Sequence, residues 1–330
     1  MVITLTVIGF SQVARRNQRE ALDRQLSSQA FYAAESGVNV TKAIIANYVN
    51  ASGFAGMNAK KSCATDYKPT DVNGSNGTAI TPLLADASGG TAVGYTCVLV
   101  NPLPGSVVYS VTKGGSAVAP LATSSAFQTL TFQWNPGTAD TGCGGADPDA
   151  FPASDDWTCG FGVLRVDLVA TNGNTNLTNA DFDSKTVTIF MTPLGGHSGA
   201  VTVPNYTANK AYVASADCSA VTSCKATVTL PVGGSSTYYA RMTSMYRDAP
   251  NTIITGTTAS GAAAFSGSQA IVDVTGKSQD ELRRIQVRVA LTGTANSSSI
   301  PLNAVASTND ICKHFAVSPT DNISPSTVCD

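Results

Sequence analysis

The chain predicts an α+β protein: one long N-terminal helix followed by a large, disulfide-stapled antiparallel β-sheet headpiece. Three observations carry that prediction. From Met1 to Tyr48 there is no Pro and only two Gly, Gly9 and Gly37. Past Asn50 the texture turns abruptly to Gly, Ser, Thr and Asn, with apolar residues at every second position. Eight cysteines are spread through that second part.

At 1.5 Å per residue the Pro-free stretch makes a rod of roughly 70 Å, too long for an ordinary globular core. Val2 to Phe10 is an uncharged apolar run about half as long as the roughly 20 residues a spanning helix needs. The charged n-region and small-residue cleavage site of a secretory signal peptide are missing. The run therefore reads as the end of a longer apolar helix that begins upstream. Beyond it, Leu22, Leu26, Ala30, Ala33, Gly37, Val40 and Ile44 recur at helical spacing and share one face. The middle of that face is small, so it predicts close approach of a neighbouring helix. On the other side, Arg16 and Glu20, and Glu20 and Arg24, form four-residue pairs worth a few tenths of a kcal/mol each. A signal-anchor helix with a solvated stalk is the alternative reading of the same pattern.

Ala30 to Asn39 reads AFYAAESGVN, about twenty residues after the apolar run. This segment resembles the N-terminal region of the PilX-like minor pilins of type IV pili. The match falls on Ala30, Phe31, Tyr32, Ala33, Ala34 and Glu35 and covers roughly the first 45 residues. The peptidase site and acidic residue that mark type IV pilins would lie upstream of it. The resemblance implies a pilin-type helix, stored in the cytoplasmic membrane and moved into a filament core. It further implies partners that are other pilins, an extracellular filament on the cell surface, and filament packing by Leu22, Leu26, Ala30 to Glu35 and Gly37. The Phe31–Tyr32 pair is expected against the headpiece or a neighbouring subunit.

Composition narrows the class of the remainder. Charged residues make up 13% of the chain, about half the usual share, and the net charge is −2. With no basic run past Arg24 beyond Lys60-Lys61 and Arg283-Arg284, nucleic acid is not expected as the main partner. The cysteines are Cys63, Cys97, Cys143, Cys159, Cys218, Cys224, Cys312 and Cys329. None forms a C-x-x-C pair, and the chain has only two His, His197 and His314, so thiolate or mixed zinc sites are not indicated. An even count in an exported-looking chain predicts four disulfides. Eight cysteines allow 105 pairings, among which sequence does not choose; proximity favours Cys143 with Cys159, Cys218 with Cys224 and Cys312 with Cys329, and by elimination Cys63 with Cys97.

Half-buried antiparallel strands are predicted where apolar and polar residues alternate. Leu130, Phe132 and Trp134 alternate with Thr129, Thr131 and Gln133; Leu164, Val166 and Leu168 with Arg165 and Asp167. Val187, Ile189 and Met191 repeat the pattern, as do Ile285, Val287, Val289 and Leu291. Further runs at 94–100, 106–113, 225–231, 237–246 and 269–275 bring the total to about nine. Breakers between Pro193 and Pro204 suggest a division into a helix, 1–50, a first β segment, 51–196, and a second, 197–330, with one interleaved domain as the alternative. The end of the chain is expected to form a loop closed by Cys312 and Cys329, which resembles the stapled loop region of many type IV pilins.

Few motifs carry chemistry. Asp71 to Gly77 opens like a calcium-binding loop, but position six is Asn76 and position twelve is Pro82, where Gly and Glu are needed. Asp147, Asp149, Asp155 and Asp156 crowd between Cys143 and Cys159 and are the candidate calcium ligands, with solvated loop carboxylates as the alternative. His197-Ser198 is not a nucleophile elbow. Asp181 and Asp183 offer a carboxylate pair for acid–base work on a glycan, with no pocket implied. No catalytic residue, metal site or cofactor is therefore expected. The function expected is a non-enzymatic minor pilin or pilin-like filament subunit, its helix for anchoring and assembly and its headpiece for exterior contacts with a surface ligand or host receptor. The alternatives are a membrane-anchored adhesin or glycan-binding protein outside any filament, and an anchored surface hydrolase.

Overall fold

In the computed structural model, the residues described are 2–52, 57, 59, 63, 81–85, 91–137, 143, 157–173, 177–193, 199–204, 211–218, 222–231 and 233–291. They form a mixed α+β fold in two units. One comprises Met1–Gly105 and Ala264–Ser297; the other, over its described residues, is Ser106–Ala263.

The first unit begins with α1, Val2–Ser52, one unbroken helix of 51 residues or roughly 75 Å. No Pro interrupts its ladder and only Gly9 and Gly37 weaken it. From Gly9 to Gln25 every residue is exposed. From Leu26 onward one side of the helix lies on a four-stranded antiparallel sheet. That sheet runs β1 (Thr81–Ala85), β2 (Thr91–Asn101), β14 (Gln269–Ser278) and β15 (Glu281–Ala290) in spatial order.

Two glycines set the spacing of helix and sheet. A Cβ on Gly276 in β14 would collide with the Ala30 carbonyl and the Ala34 amide of α1. A Cβ on Gly37 would come within 2.7 Å of Val274 Cγ1 and 2.8 Å of Tyr95 Cγ. The helix backbone therefore sits directly against the sheet, flanked by a core of Ala34, Val38, Ile45, Tyr95, Val98, Val272, Val274 and Val289. At its upper end Ser278 Oγ donates to Gln29 Oε1 at 2.9 Å and Arg283 Nε donates to Ser27 Oγ at 2.8 Å. On β15, Ile285, Val287 and Val289 turn inward while Arg284, Gln286 and Arg288 are exposed, as the alternation predicts.

The second unit is two sheets packed face to face. One carries β13 (Gly261–Ala262), β12 (Ala249–Thr258), β5 (Phe127–Trp134), β10 (Cys224–Thr229) and β8 (Ala200–Thr202) in that order, with β3 (Val107–Val111) also on β12. The other runs β4 (Ser116–Ala122), β11 (Thr237–Met245), β6 (Val163–Ala170), β7 (Thr186–Thr192) and β9 (Ala211–Ser215). Between them lie Leu130, Phe132, Trp134, Val166, Leu168, Ile189, Val228, Tyr238, Met242 and Ile254, each at most 1% exposed. Phe127 meets Tyr238 edge to face at 5.8 Å, and Trp134 Nε1 donates to the Gly162 carbonyl at 3.1 Å. The indole is thus buried with its one donor satisfied.

Three expectations need correction. The sheets are not wholly antiparallel: β8 pairs with β10, and β7 with β9, in parallel. The division is not at 196/197 but at 105/106 and 263/264. Strands on either side of the breaker-rich segment hydrogen-bond to each other, β7 to β9 and β5 to β10, so no boundary can fall there. Fifteen strands appear among the described residues rather than about nine. The segment β4 contains Pro120 and was not legible as a strand, yet it forms an edge, where a missing N–H costs least.

Three disulfides are present: Cys63–Cys97, Cys143–Cys159 and Cys218–Cys224. The last two match pairings that proximity favours and the first the pair left by elimination; Cys312 and Cys329 lie outside the described residues. Alkylation of unreduced protein followed by mass spectrometry should leave all six of these cysteines unlabelled. Labelling of any of them would break the pairing. For the helix–sheet contact, Gly276→Val should lower stability by about 1–3 kcal/mol in chemical denaturation, because a larger side chain overpacks a closed interface. A variant as stable as the parent would show that helix and strand are not in contact there.

Candidate functional surface

The helix α1 divides its candidate residues between two environments. Ala30, Ala33 and Ala34 are fully buried, as are Gly37, Val38, Thr41 and Ile45, and Leu26 is half-buried. This corrects the expectation that the small-residue face meets neighbouring helices: it meets the protein's own β2, β14 and β15. The small side chains are required by Gly276, which draws the Ala30 carbonyl onto the strand. The buried arc also drifts from the expected one. Thr41 and Ile45 are inward, whereas Val40 is 44% exposed. Thr41 Oγ1 satisfies itself within the helix by donating to the Gly37 carbonyl at 2.7 Å.

What remains outward mixes charged residues such as Arg15, Arg19, Asp23 and Arg24 with exposed apolar side chains. Phe10 is 78% exposed, Tyr32 64%, Val13 56%, Leu22 51% and Phe31 48%. Phe31 and Tyr32 touch each other edge to face at 6.0 Å. At about 100° per residue these side chains point to several sides of the rod rather than forming one stripe. Glu35 is exposed beside them. Arg16 Nε donates to Glu20 at 3.2 Å, an exposed pair that contributes little. Among the described residues no helix is long and apolar enough to cross a membrane.

The acid–base candidates resolve differently. Asp181 lies in the short helix α2, Asn179–Lys185, and closes its N-terminal capping box with Thr178. A hydrogen bond from Lys185, then bonds from the Thr178 backbone and hydroxyl, hold its carboxyl well below the usual carboxylate range. Asp181 thus serves as part of the N-terminal cap of α2. The Asp183 side chain lies outside the described residues. So do Asp71 to Gly77, Asp147, Asp149, Asp155, Asp156, His197, Ser198 and His314. No cluster of metal-ligating side chains occurs among the described residues.

Two carboxylates that sequence reading did not single out as ligands of anything are locked in ion pairs. Asp167 Oδ1 accepts from Arg165 Nε and Nη2 and from Thr188 Oγ1; its Oδ2 accepts from Arg241 Nε at 3.0 Å and Nη2 at 2.7 Å. Asp273 is held by Arg284 and Gln286. The register explains both sets: Asp167 lies opposite Arg241 and Thr188, and Asp273 opposite Gln286. Such fully occupied carboxylates brace sheets. Near the Cys143–Cys159 bridge, Trp157 stacks on Tyr246 at 4.3 Å, and burial pushes the Tyr246 phenol up.

Comparison with known protein families, with curated proteins and with solved structures finds no match to this chain.

The capping reading of Asp181 has a pH signature. Its folded-state pKa is depressed, so the stability it gives is present above the ordinary carboxylate pKa and fades as pH falls below it. Thermal unfolding of Asp181→Asn should therefore differ from the parent at neutral pH and converge with it in acid. A difference that grows in acid would contradict the cap.

Proposed function

We propose that this chain is a non-enzymatic subunit of a type IV pilus-type filament, similar to a PilX-like minor pilin. The observation that carries the reading is the unequal fate of α1. Its second half is fixed to the four-stranded sheet, while Gly9 to Gln25 stands free with Phe10, Val13 and Leu22 exposed. Exposed apolar side chains gain from burial, and among the described residues no segment of this chain buries Phe10, Val13 or Leu22. Packing of such rods side by side supplies it. The headpiece, low in charge and stapled by disulfides, suits an oxidising exterior. In this reading the rod lodges in the membrane before assembly, and Phe31 and Tyr32 lie where the free rod meets the headpiece.

The structure changes which substitution tests the idea. A Trp at Ala33 would disrupt the subunit's own core, so it cannot report on assembly. Phe31→Ala combined with Tyr32→Ala removes exposed rings and leaves the helix–sheet core untouched. The double variant should unfold at the parent's temperature and be depleted from sheared filaments. Normal incorporation would mean that these rings take no part in packing, and would favour a membrane-anchored adhesin.

A further inference from the structure

Sheet register builds a threonine lattice on the outer face of the second unit. Three adjacent strands each carry Thr-x-Thr: Thr255 and Thr257 on β12, Thr129 and Thr131 on β5, Thr227 and Thr229 on β10. Antiparallel pairing sets Thr255, Thr131 and Thr227 side by side in one row, and Thr257, Thr129 and Thr229 in the next. The parallel strand β8 adds Thr202 beside Thr229. The intervening Leu130 and Val228 are fully buried, whereas each of these threonines is part-exposed or exposed. Columns are roughly 4.8 Å apart and rows roughly 6.8 Å apart.

The lattice is also stiff. Thr129 and Thr257 hydroxyls bond to each other at 2.7 Å, and those of Thr131 and Thr227 at 3.0 Å. β-Branching restricts each χ1 further, so little side-chain freedom is left to lose on contact. Strand twist of about 20° per neighbour confines the match to the central columns, β12, β5 and β10, where the hydroxyl ladder runs.

The chemistry of the face selects its ligand. The two rows hold hydroxyls and methyls with no charged and no aromatic group, and Lys225 stands one row further on. Protein hot spots draw on Trp, Tyr and Arg and rarely on Thr. Nucleic acid requires a field of cations. An uncharged face complements an uncharged, repeating array of hydrogen-bonding groups. We infer that this face binds ice, with threonine methyls and hydroxyls seated on the crystal's own two-dimensional repeat, which has the same scale. The inference is independent of the filament reading, since it involves no residue of α1.

The test uses the full chain and pure ice. Slow growth of an ice front should incorporate the protein, and dilute protein should halt recrystallisation of a polycrystalline film. Thr229→Tyr and Thr257→Tyr place a ring over the lattice at exposed positions, so they should keep the parent's thermal unfolding and lose both effects. Asn39→Tyr, on the exposed side of α1, should retain them. Exclusion of the parent protein from ice, full activity in both lattice variants, or capture on crystalline polysaccharide with none on ice would each overturn the inference.

Discussion

The approach of one helix to one strand governs the first unit. Gly276 lets the Ala30 carbonyl of α1 rest on β14, and Gly37 returns the favour to Val274 and Tyr95. Any side chain at either glycine would force helix and sheet apart and open the core that Val38, Ile45, Val98 and Val272 close. Everything small on the inner face of the helix follows from that contact. The Ala and Gly residues between Ala30 and Gly37 are the helix half of a joint whose other half is a glycine in β14.

From the joint follows the division of the rod. Where the sheet ends the helix continues, held by its own backbone bonds and by surface pairs such as Arg16–Glu20. Isolated helices draw limited stability from propensity alone, and most of it comes from burying a face. A free rod whose charged surface also carries exposed Phe, Val and Leu side chains has apolar area left to bury against neighbours. This is the physical content of the filament reading, and it rests on exposure rather than on the resemblance of Ala30 to Asn39.

Much of the scaffold was legible in the sequence. Absence of Pro predicts the helix, alternation predicts β5, β6, β7 and β15, and spacing favours two of the three disulfides seen, Cys143–Cys159 and Cys218–Cys224. The partner of the small-residue face was not legible, because an Ala-Gly stripe fits a helix or a sheet equally well and Gly276 lies far along the chain. Strands β4 and β12 were hidden by Pro120 and by Pro250 with Gly256, which local propensity counts against a strand. Thr129 and Thr131 read as a wet face, but only register shows that Thr227, Thr229, Thr255 and Thr257 flank them. Asp181 read as an acid–base candidate because sequence gives the carboxylate without Lys185 and Thr178 folded round it.

The central claim is that the first half of α1 finds its burial outside its own chain. Amide hydrogen exchange on α1 tests it directly, in isolated protein and in assembled filaments. The account predicts that amides from Ala30 to Ile45 are protected in both states, while those from Gly9 to Gln25 exchange quickly alone and become protected on assembly. Equal protection of the two halves in the isolated chain, or no gain over Gly9 to Gln25 in filaments, would contradict it.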